Sequence, residues 1–393
     1  MVKEKYQYQL LESPEDIARF GAENQDVEWL ALDTEFIGEK RYHTLLCLIQ
    51  VTTVHGNYVF DVIKCDQIEP LLDLVQREDI VKITHAGEND YRLLNTLYGI
   101  RPKNLFDTQI AAGFIGYKYP VSFRYLLEEE LQVRLSKSQT VTDWEQRPIK
   151  PKQMQYAIED VIFLEELRDK MLEKLHKLGR AAWALEECAK METEAFYQRD
   201  PHKEALTHNL MPNLDLKERV FLLRVFEWRR ALAEERNQSK EMVLAKKNIA
   251  PIVKSMGHGK NGLRNNRRIS DRFIDRYGRK MHQLYAKEIS PEERELVENI
   301  KHERSLPPKV DLRLEMLYSF INYRCLEQRV APNLAFSRTV FKLMKADLAY
   351  FDPSLESSWR SEVLGEDLMH CLRNRKHLKV DMADGQMLLK VTK

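Results

Sequence analysis

The chain has few cysteines, and none of them is part of a paired motif. Its 393 residues contain five cysteines with no CxxC pair, which argues against a disulfide framework or a zinc finger and indicates reduced thiols. No segment reaches the roughly 18 uncharged apolar residues of a membrane span, and residues 1–16 lack the apolar core of a signal peptide. No GxxxxGKS or GxxxxGKT motif occurs, so no helicase segment or nucleotide cofactor is expected. We therefore expect a cytoplasmic protein without a membrane partner.

The charges that are present are distributed unevenly along the chain. Positions 1–200 hold 25 Lys and Arg against 35 Asp and Glu, whereas positions 201–393 hold 37 against 26. Carboxylates in the acidic half could hold metal ions, and cations in the basic half could hold a polyanion. Ordinary solvated surfaces would give the same numbers, so charge alone does not decide between these interpretations. A chain of this length is expected to form two or three domains.

The first 200 residues alternate between apolar strands and helical segments. Period-two and apolar patterns predict strands over 27–38, 45–53, 57–62 and 79–86, and a short strand that runs into a helix over 104–116. Periodicity predicts helices over 67–76, 87–99 and 122–131, one long helix over 154–179, and a further helix over 181–198. Strands interleaved with helices indicate an α/β domain, predicted over 1–200. Residues 135–151 lack periodicity and predict a loop of a length that is often functional.

The second half is predicted to be helical and contains a weak internal repeat. Residues 226–237 (FEWRRALAEERN) and 321–333 (INYRCLEQRVAPN) each place an aromatic–Arg pair on a helix, with Asn eight or nine residues later. We therefore predict all-α modules over 214–289 and 295–376, a linker with two prolines over 199–213, and a tail over 377–393. The candidate catalytic residues described below all precede residue 161; together with the linker and the change in charge, this predicts that residues 1–200 carry the chemistry and that the basic half holds the substrate.

Acidic residues fall at three positions where a carboxylate needs a partner. Asp33 and Glu35 share one face of the first predicted strand, because alternate residues of a strand point the same way. Asp90 starts a helix, where the helix dipole alone also favours an acid. Tyr156 and Asp160 share a helix face, and Asp160 interrupts an apolar stripe. Divalent cations would satisfy all four carboxylates, although an acidic strand end or a structural ion pair would explain each one alone.

These motifs resemble those of a nuclease superfamily. Asp33-Thr34-Glu35, Asp90 and Tyr156-x-x-x-Asp160 are similar to the three exonuclease motifs of the DEDD superfamily, in the subclass with Tyr four residues before the last Asp. The segments LDTEF, LCLIQ, HAGEND, FDTQIAA and SKSQTVTDWEQRP look like ribonuclease D, and the helical modules look like nucleic-acid-binding HRDC domains. The resemblance covers nearly the whole chain. It implies an α/β fold, with a ribonuclease H-like mixed-sheet exonuclease domain followed by two all-α HRDC-like domains.

The resemblance also implies a chemistry and a substrate. In this family Asp33, Glu35, Asp90 and Asp160 would bind two divalent ions, Mg²⁺ or Mn²⁺, and Tyr156 would form a hydrogen bond with the attacking water. The expected activity is 3′–5′ exoribonuclease on RNA with a free 3′ end, with release of 5′-nucleoside monophosphates and with tRNA precursors as substrates. One alternative is a 3′–5′ DNA exonuclease of the proofreading or Werner type. Another is a catalytically silent nucleic-acid-binding scaffold, which would predict the loss of an acidic ligand, yet all four are present.

Further residues are weaker candidates for contact with the substrate. The segment from 241 to 280 holds eleven Lys and Arg against three Asp and Glu, which suits phosphate contacts but also suits a solvated turn. His85 and Phe36 could equally belong to the core, and for Trp144 we favour a role in anchoring the loop to the domain. The substrate-binding candidates are Phe36, His85, Lys137, Gln139, Trp144, Arg147, Lys260, Arg264, Arg267 and Arg268.

Overall fold

The structure is a computed structural model that describes residues 6–135, 143–259, 261–300, 306–356, 358–374, 378–383 and 386–391. The chain divides into two compact units. The first unit comprises Met1–Glu35, Leu46–Tyr197 and Leu306–Lys393, and the second comprises Phe36–Leu45 and Gln198–Ser305. None of the helices in the described ranges has both the length and the apolar character needed to cross a membrane.

The first unit is built around a mixed six-stranded sheet, which confirms the predicted α/β class. Its strands are β1 (Gln9–Leu11), β2 (Trp29–Ile37), β3 (Leu45–Thr53), β4 (Gly56–Asp61), β5 (Val81–Thr84) and β6 (Leu105–Asp107). They lie in the order β1-β4-β3-β2-β5-β6. The strands β3 and β4 pair antiparallel, whereas β1 with β4, β2 with β5, and β5 with β6 pair parallel. Because β2 and β5 are parallel neighbours, their carboxyl ends lie at the same edge of the sheet.

Helices cover both faces of this sheet. They are α1 (Pro14–Glu23), α2 (Glu69–Gln76), α3 (Glu88–Tyr98), α4 (Thr108–Phe114), α5 (Phe123–Leu126), α6 (Pro151–Glu159), α7 (Leu164–Lys177), α8 (Ala181–Ala189) and α9 (Glu194–Tyr197). On one face, Leu30 and Leu32 of β2 belong to the same buried core as Phe20 of α1. On the opposite face, Ala31 packs in a separate cluster with Leu164, at the start of α7. The junction between α6 and α7 therefore lies over the face of β2 to which residues 33 and 35 also belong.

The single long helix predicted over 154–179 is wrong, because the helix breaks after Glu159. Asp160 is the residue that ends α6, and a new helix starts at Leu164. Between them, Val161 and Leu164 donate backbone hydrogen bonds to the carbonyls three residues earlier, which tightens the chain into turns. Both side chains are fully buried against Ala31 of the sheet. Periodicity could not reveal the break, since the apolar residues of the turn continue the helical pattern. The helix predicted over 181–198 is also interrupted, by a short 3₁₀ helix over Lys190–Glu192.

The second unit is all helical outside the segment Phe36–Leu45. Its helices are α10 (Lys203–Leu206), α11 (Leu216–Glu235), α12 (Lys240–Val243), α13 (Lys246–Met256), α14 (Gly262–Asn265), α15 (Asp271–Ala286) and α16 (Pro291–Glu298). The long helix α11 begins with a reciprocal cap, because Asp215 accepts from the backbone N–H of Glu218, and Glu218 accepts from that of Asp215. The apolar side of α11 fills the core of this unit, with Phe221 and Val225 fully buried.

The basic segment between α13 and α15 is ordered over residues 261–269, although its composition suggests a flexible loop. Asn266 donates a side-chain hydrogen bond of 2.8 Å to the hydroxyl of Ser255. A Cβ on Gly262 would lie 2.0 Å from the carbonyl oxygen of Ser255, so this close approach of two backbone segments requires glycine. The turn exposes three of the predicted RNA-binding cations, Arg264, Arg267 and Arg268.

The C-terminal helices belong to the first unit and share its core. They are α17 (Pro308–Glu327), α18 (Pro332–Ala335), α19 (Arg338–Ala346) and α20 (Ser358–Asn374), followed by an antiparallel pair, β7 (Leu378–Ala383) and β8 (Gln386–Val391). Trp359 is fully buried, with its ring centroid 4.7 Å from that of Phe114. Arg360 forms a bidentate ion pair with Glu187 of α8 at 2.9 and 3.1 Å. Removal of the chain beyond the 199–213 linker would therefore open the core of the first unit. The predicted domain limits themselves stay predictions.

Candidate active site

Three of the predicted metal ligands converge at the end of β2. Asp33 and Glu35 project from the same face of the strand, and Asp160 approaches from the end of α6. One carboxylate oxygen from each of the three lies within 4.8 Å of the other two. Among the residues that the structure describes, this is the one group of three or more acidic, His or Cys side chains close enough to share an ion.

Asp90 lies in the first turn of α3 and is the most buried of the four acids, with 6% of its surface exposed. The hydroxyl of Thr34, between the two β2 ligands, donates to the carboxylate of Asp90. Asp107, at the end of β6, accepts backbone hydrogen bonds from Ala86 at 3.1 Å and Gly87 at 3.0 Å, in the turn that leads into α3. Asp107 thus supports the helix that carries Asp90. Sequence reasoning missed this role, because the local signal of an acid directly before a helix indicates only that Asp107 caps α4.

Burial raises the pKa values of all four carboxyl groups, and neighbouring acids add to the rise. Burial, with contributions from Asp160 and Asp90, raises the pKa of Glu35 to about 9. Burial also raises the pKa of Asp160 to about 7 and that of Asp90 to about 6. For Asp33, burial and the three neighbouring acids raise the pKa well above its usual range. Without a compensating cation, the cluster therefore retains protons at neutral pH, on Glu35 above all.

The cluster fits a divalent cation by its chemistry and its spacing. Its donors are carboxylate oxygens, which bind hard ions such as Mg²⁺ and Mn²⁺. Two oxygens on opposite sides of one Mg²⁺ are roughly 4.2 Å apart, close to the upper limit of the spacing among the three acids. A cation would replace the retained protons and remove the repulsion, so metal binding should release protons.

Tyr156 lies one helical turn before Asp160 and shares its face of α6. A hydrogen bond between the two side chains holds the pKa of Asp160 lower than burial alone would give. Burial and the charges of Asp160, Glu35 and Asp33 raise the pKa of the Tyr156 hydroxyl, so it stays protonated at physiological pH. The tyrosine therefore offers an O–H next to the acidic cluster, as a hydrogen-bonding group and not as a base.

The structure places the weaker candidates in different environments. Phe36 follows the ligands in β2 and keeps 37% of its surface exposed. The ring nitrogens of His85 lie 2.9 Å from the Thr108 hydroxyl and 3.1 Å from the carbonyl oxygen of Val121. Burial lowers the pKa of His85, so the ring is neutral and already has a protein partner at each nitrogen. Lys137, Gln139 and Lys260 lie outside the described residues, and the predictions made for them stay predictions.

Trp144 and Arg147 are packed into the protein next to α6. Trp144 is 6% exposed, and its ring centroid is 6.2 Å from that of Tyr156. Arg147 forms an ion pair with Asp61, whose side chain is fully buried. Sequence reasoning gave no role to Asp61, because its partner is 86 residues away. It also missed Arg124, whose charge lowers the pKa of Asp160.

Comparison with known proteins finds relatives for both units of the chain. A 3′–5′ exonuclease family matches residues 8–176, and the HRDC domain family matches residues 218–285. Ribonuclease D of Sphingobium indicum is 28% identical over 370 residues, which cover 93% of this chain and 95% of that protein. Ribonuclease D of Zymomonas mobilis is 35% identical over 228 residues, 58% of each chain.

A solved structure has the same fold over nearly the whole chain. The crystal structure of Escherichia coli RNase D matches with a TM-score of 0.79 and 24% identity, and covers 94% of this chain and 99% of that one. The exonuclease match includes all four acids and Tyr156, and the relatives named ribonuclease D span both units. The chain is therefore similar over nearly its whole length to proteins named ribonuclease D, and it is a 3′–5′ exoribonuclease.

Proposed function

We propose that this exoribonuclease shortens RNA by hydrolysing the 3′-terminal phosphodiester bond with two divalent ions, Mg²⁺ or Mn²⁺, and releases 5′-nucleoside monophosphates. The observation that carries the proposal is the convergence of Asp33, Glu35 and Asp160 within 4.8 Å, with Asp90 bonded to the same strand through Thr34. When bound, the ions would supply an activated water and stabilise the charge that develops on the leaving oxygen.

The protein's own residues contribute position and protons. Asp33, Glu35, Asp90 and Asp160 would hold the ions, and their raised pKa values mean that they must lose protons to do so. Tyr156, kept protonated by burial and by the neighbouring acids, would orient the attacking water through its hydroxyl. The neutral state of Tyr156 matters, because a phenolate would add one more negative charge beside the scissile phosphate.

The natural substrates we propose are tRNA precursors and other stable RNAs with a free 3′ end. The relatives that match most of the chain are named ribonuclease D, and the E. coli structure is described as that of an exoribonuclease involved in structured RNA processing. All five cysteines are buried and none forms a disulfide, which supports a reducing, cytoplasmic setting for this work.

A labelled-substrate assay tests the proposed reaction. With Mg²⁺ or Mn²⁺, 5′-labelled RNA should shorten stepwise from its 3′ end with release of 5′-nucleoside monophosphates, and EDTA should stop the reaction. A tRNA precursor with a 3′ extension should be trimmed, whereas DNA of the same sequence should be a poor substrate. Products with a 3′-phosphate, or full activity in EDTA, would contradict the two-metal reaction. Equal activity on DNA would support the DNA-exonuclease alternative.

We also propose that the basic turn of the second unit, residues 261–269, binds RNA phosphates. Replacing Arg264, Arg267 and Arg268 together by Ala should raise KM on long RNA with little change in kcat, because such contacts form alike in the ground and transition states. The slope of log affinity against log salt should flatten by roughly 0.7 for each lost contact to a single strand, about 2 in all.

A charge-matched variant controls for net charge. Alanine at Arg19, Arg101 and Lys177, three surface cations of the first unit that pair with neighbouring acids, removes the same charge. It should leave the salt slope close to that of the wild type. If both triple variants flatten the slope equally, the effect is one of overall charge, and the basic turn is not a specific RNA anchor.

A further inference from the structure

Arg147 has no N–H left with which to bind RNA. A guanidinium carries five N–H donors, and the structure shows five hydrogen bonds from this side chain. Two go to the carboxylate oxygens of Asp61, both at 2.6 Å. The other three go to the backbone carbonyls of Trp144 at 2.6 Å, Gln146 at 3.1 Å and Cys47 at 3.3 Å. A phosphate contact would have to replace one of these bonds.

The partner of Arg147 is a buried charge at the end of the sheet. Asp61 is the last residue of β4, it lies opposite Leu48 of β3, and its side chain is fully buried. A buried carboxylate is costly unless a cation pairs with it, and a bidentate Arg is the pairing with the most defined geometry. The pair therefore fixes the backbone around Arg147 against the ends of β3 and β4.

The segment fixed in this way, residues 143–150, leads directly into α6. Gln153, in the first turn of α6, donates to the carbonyl of Asp143 at 3.1 Å and accepts from the N–H of Lys150 at 3.0 Å. Trp144, whose carbonyl Arg147 holds, packs its buried ring 6.2 Å from the ring of Tyr156, centroid to centroid. Backbone groups of this short segment thus contact the first turn of α6, and its Trp144 side chain lies next to Tyr156.

We propose that Arg147 and Asp61 are positioning residues for Tyr156 and do not contact the substrate. The ion pair holds Trp144 and the start of α6, and through them it sets where the Tyr156 hydroxyl lies relative to the acidic cluster. This inference rests on the proposed role of Tyr156. It differs from the sequence-based interpretation, in which Arg147 binds the RNA backbone.

The conservative variant Arg147→Lys tests this inference. Lysine keeps the charge but cannot make the two parallel bonds to Asp61 and the carbonyl bonds together. We expect kcat to fall by about 10- to 100-fold, because a small displacement of a catalytic group is enough for such a loss. KM, the RNA affinity measured in chelator and the salt slope should stay close to wild type. Unchanged kcat, or weakened RNA binding with a slope flattened by about 0.7, would overturn the proposal.

A double-mutant cycle tests whether the effect passes through the tyrosine. In a Tyr156→Phe background the hydroxyl is already absent, so Arg147→Lys should lower kcat by no more than about twofold further. If the losses of kcat caused by Arg147→Lys and by Tyr156→Phe multiply in the double variant, Arg147 does not act through Tyr156. If Tyr156→Phe alone turns over like wild type while Asp33→Asn is inactive, the role of Tyr156 fails but the metal reaction stands.

Arg360→Lys is the matched control. Arg360 is also a buried arginine with a bidentate carboxylate partner, Glu187, and it bonds to the backbone carbonyls of Leu334 and Ala335. Its replacement should lower the melting temperature and leave kcat unchanged. An equal loss of kcat in both variants would mean that general destabilisation explains the Arg147 result. Should Arg147→Lys fail to fold, Trp144→Phe carries the test, with the same expected loss of kcat and the same cycle against Tyr156→Phe.

Discussion

Replacing Asp160 by Asn is expected to lower turnover by roughly 10³-fold or more while the protein stays folded, and Asp33→Asn should do the same. In the proposed reaction, each change removes the charge of one metal ligand. Through the ion, this charge would stabilise the transition state by several kcal/mol, and about 1.4 kcal/mol corresponds to a tenfold change in rate. Single-turnover rates on labelled RNA at saturating Mg²⁺ measure the effect. Asp169→Asn, an exposed acid on α7, is the control and should be fully active.

The same variant has an expected effect on stability when metal is removed. The folded-state pKa of Asp160 is about 7, above the unfolded value of about 3.9, so the native state binds extra protons between these values. The stability that this group contributes is present below about pH 4 and is lost as pH rises through about 7. In chelator, the melting temperature of Asp160→Asn should therefore exceed that of wild type by more at about pH 9 than at about pH 5.

In saturating Mg²⁺, the wild type should instead have the higher melting temperature, because only the wild type retains the full set of proposed ligands. Thermal melts in EDTA and in Mg²⁺, at several pH values, measure both effects. Wild-type turnover in Asp160→Asn would remove this residue from the metal site. A difference in melting temperature that does not change with pH would show that Asp160 is ionised in the folded protein without metal.

Tyr156→Phe is expected to lower kcat by about 10²–10⁴-fold, the range typical of a positioned group that acts on the attacking nucleophile. The change removes one oxygen and keeps the ring that packs near Trp144, so the fold should be unaffected. Metal affinity and KM should change little, since the hydroxyl is neither a ligand nor a contact along the RNA. Pre-steady-state rates with excess enzyme separate this loss from slow product release.

The control for the tyrosine is Tyr125→Phe. Tyr125 is in the same unit and 46% exposed, and its hydroxyl loss should leave kcat at the wild-type value. Because burial and neighbouring acids raise the pKa of Tyr156, the rate of the wild type should show no ionisation of this phenol between about pH 6 and about pH 9. Wild-type turnover in Tyr156→Phe would assign the residue to packing.

Local patterns predicted the sheet well, because strand patterning is a short-range property. The strand predicted over 45–53 is observed as Leu45–Thr53, and that over 57–62 as Gly56–Asp61. The face shared by Asp33 and Glu35 follows from strand geometry alone. The helix that carries Asp90 was also predicted, over 87–99, and spans Glu88–Tyr98.

Patterns of the same kind failed where a distant partner decides the local structure. The predicted helix over 154–179 continues smoothly in periodicity, yet it breaks at Asp160 because Val161 and Leu164 are buried against the sheet. The ion pair between Arg147 and Asp61 was likewise not predicted, because the two residues lie 86 positions apart in the sequence. In both cases the interacting residues are far apart in the sequence, so the local pattern contains no sign of the contact.

The sequence by itself was enough to predict the catalytic chemistry, since its carboxylates at strand and helix positions of fixed spacing, together with Tyr156, resemble the motifs of a known exonuclease superfamily. It also determined the α/β class and the division into acidic and basic halves. Only the tertiary structure decided that Asp160 ends a helix, that Asp107 and Thr34 support Asp90, and that the C-terminal helices share the core of the exonuclease domain through Trp359 and Arg360. The physical reason is the distance in sequence over which the interactions act. Spacing and periodicity reflect interactions between residues that are close in the sequence, whereas burial and ion pairing depend on residues that meet only after the chain has folded.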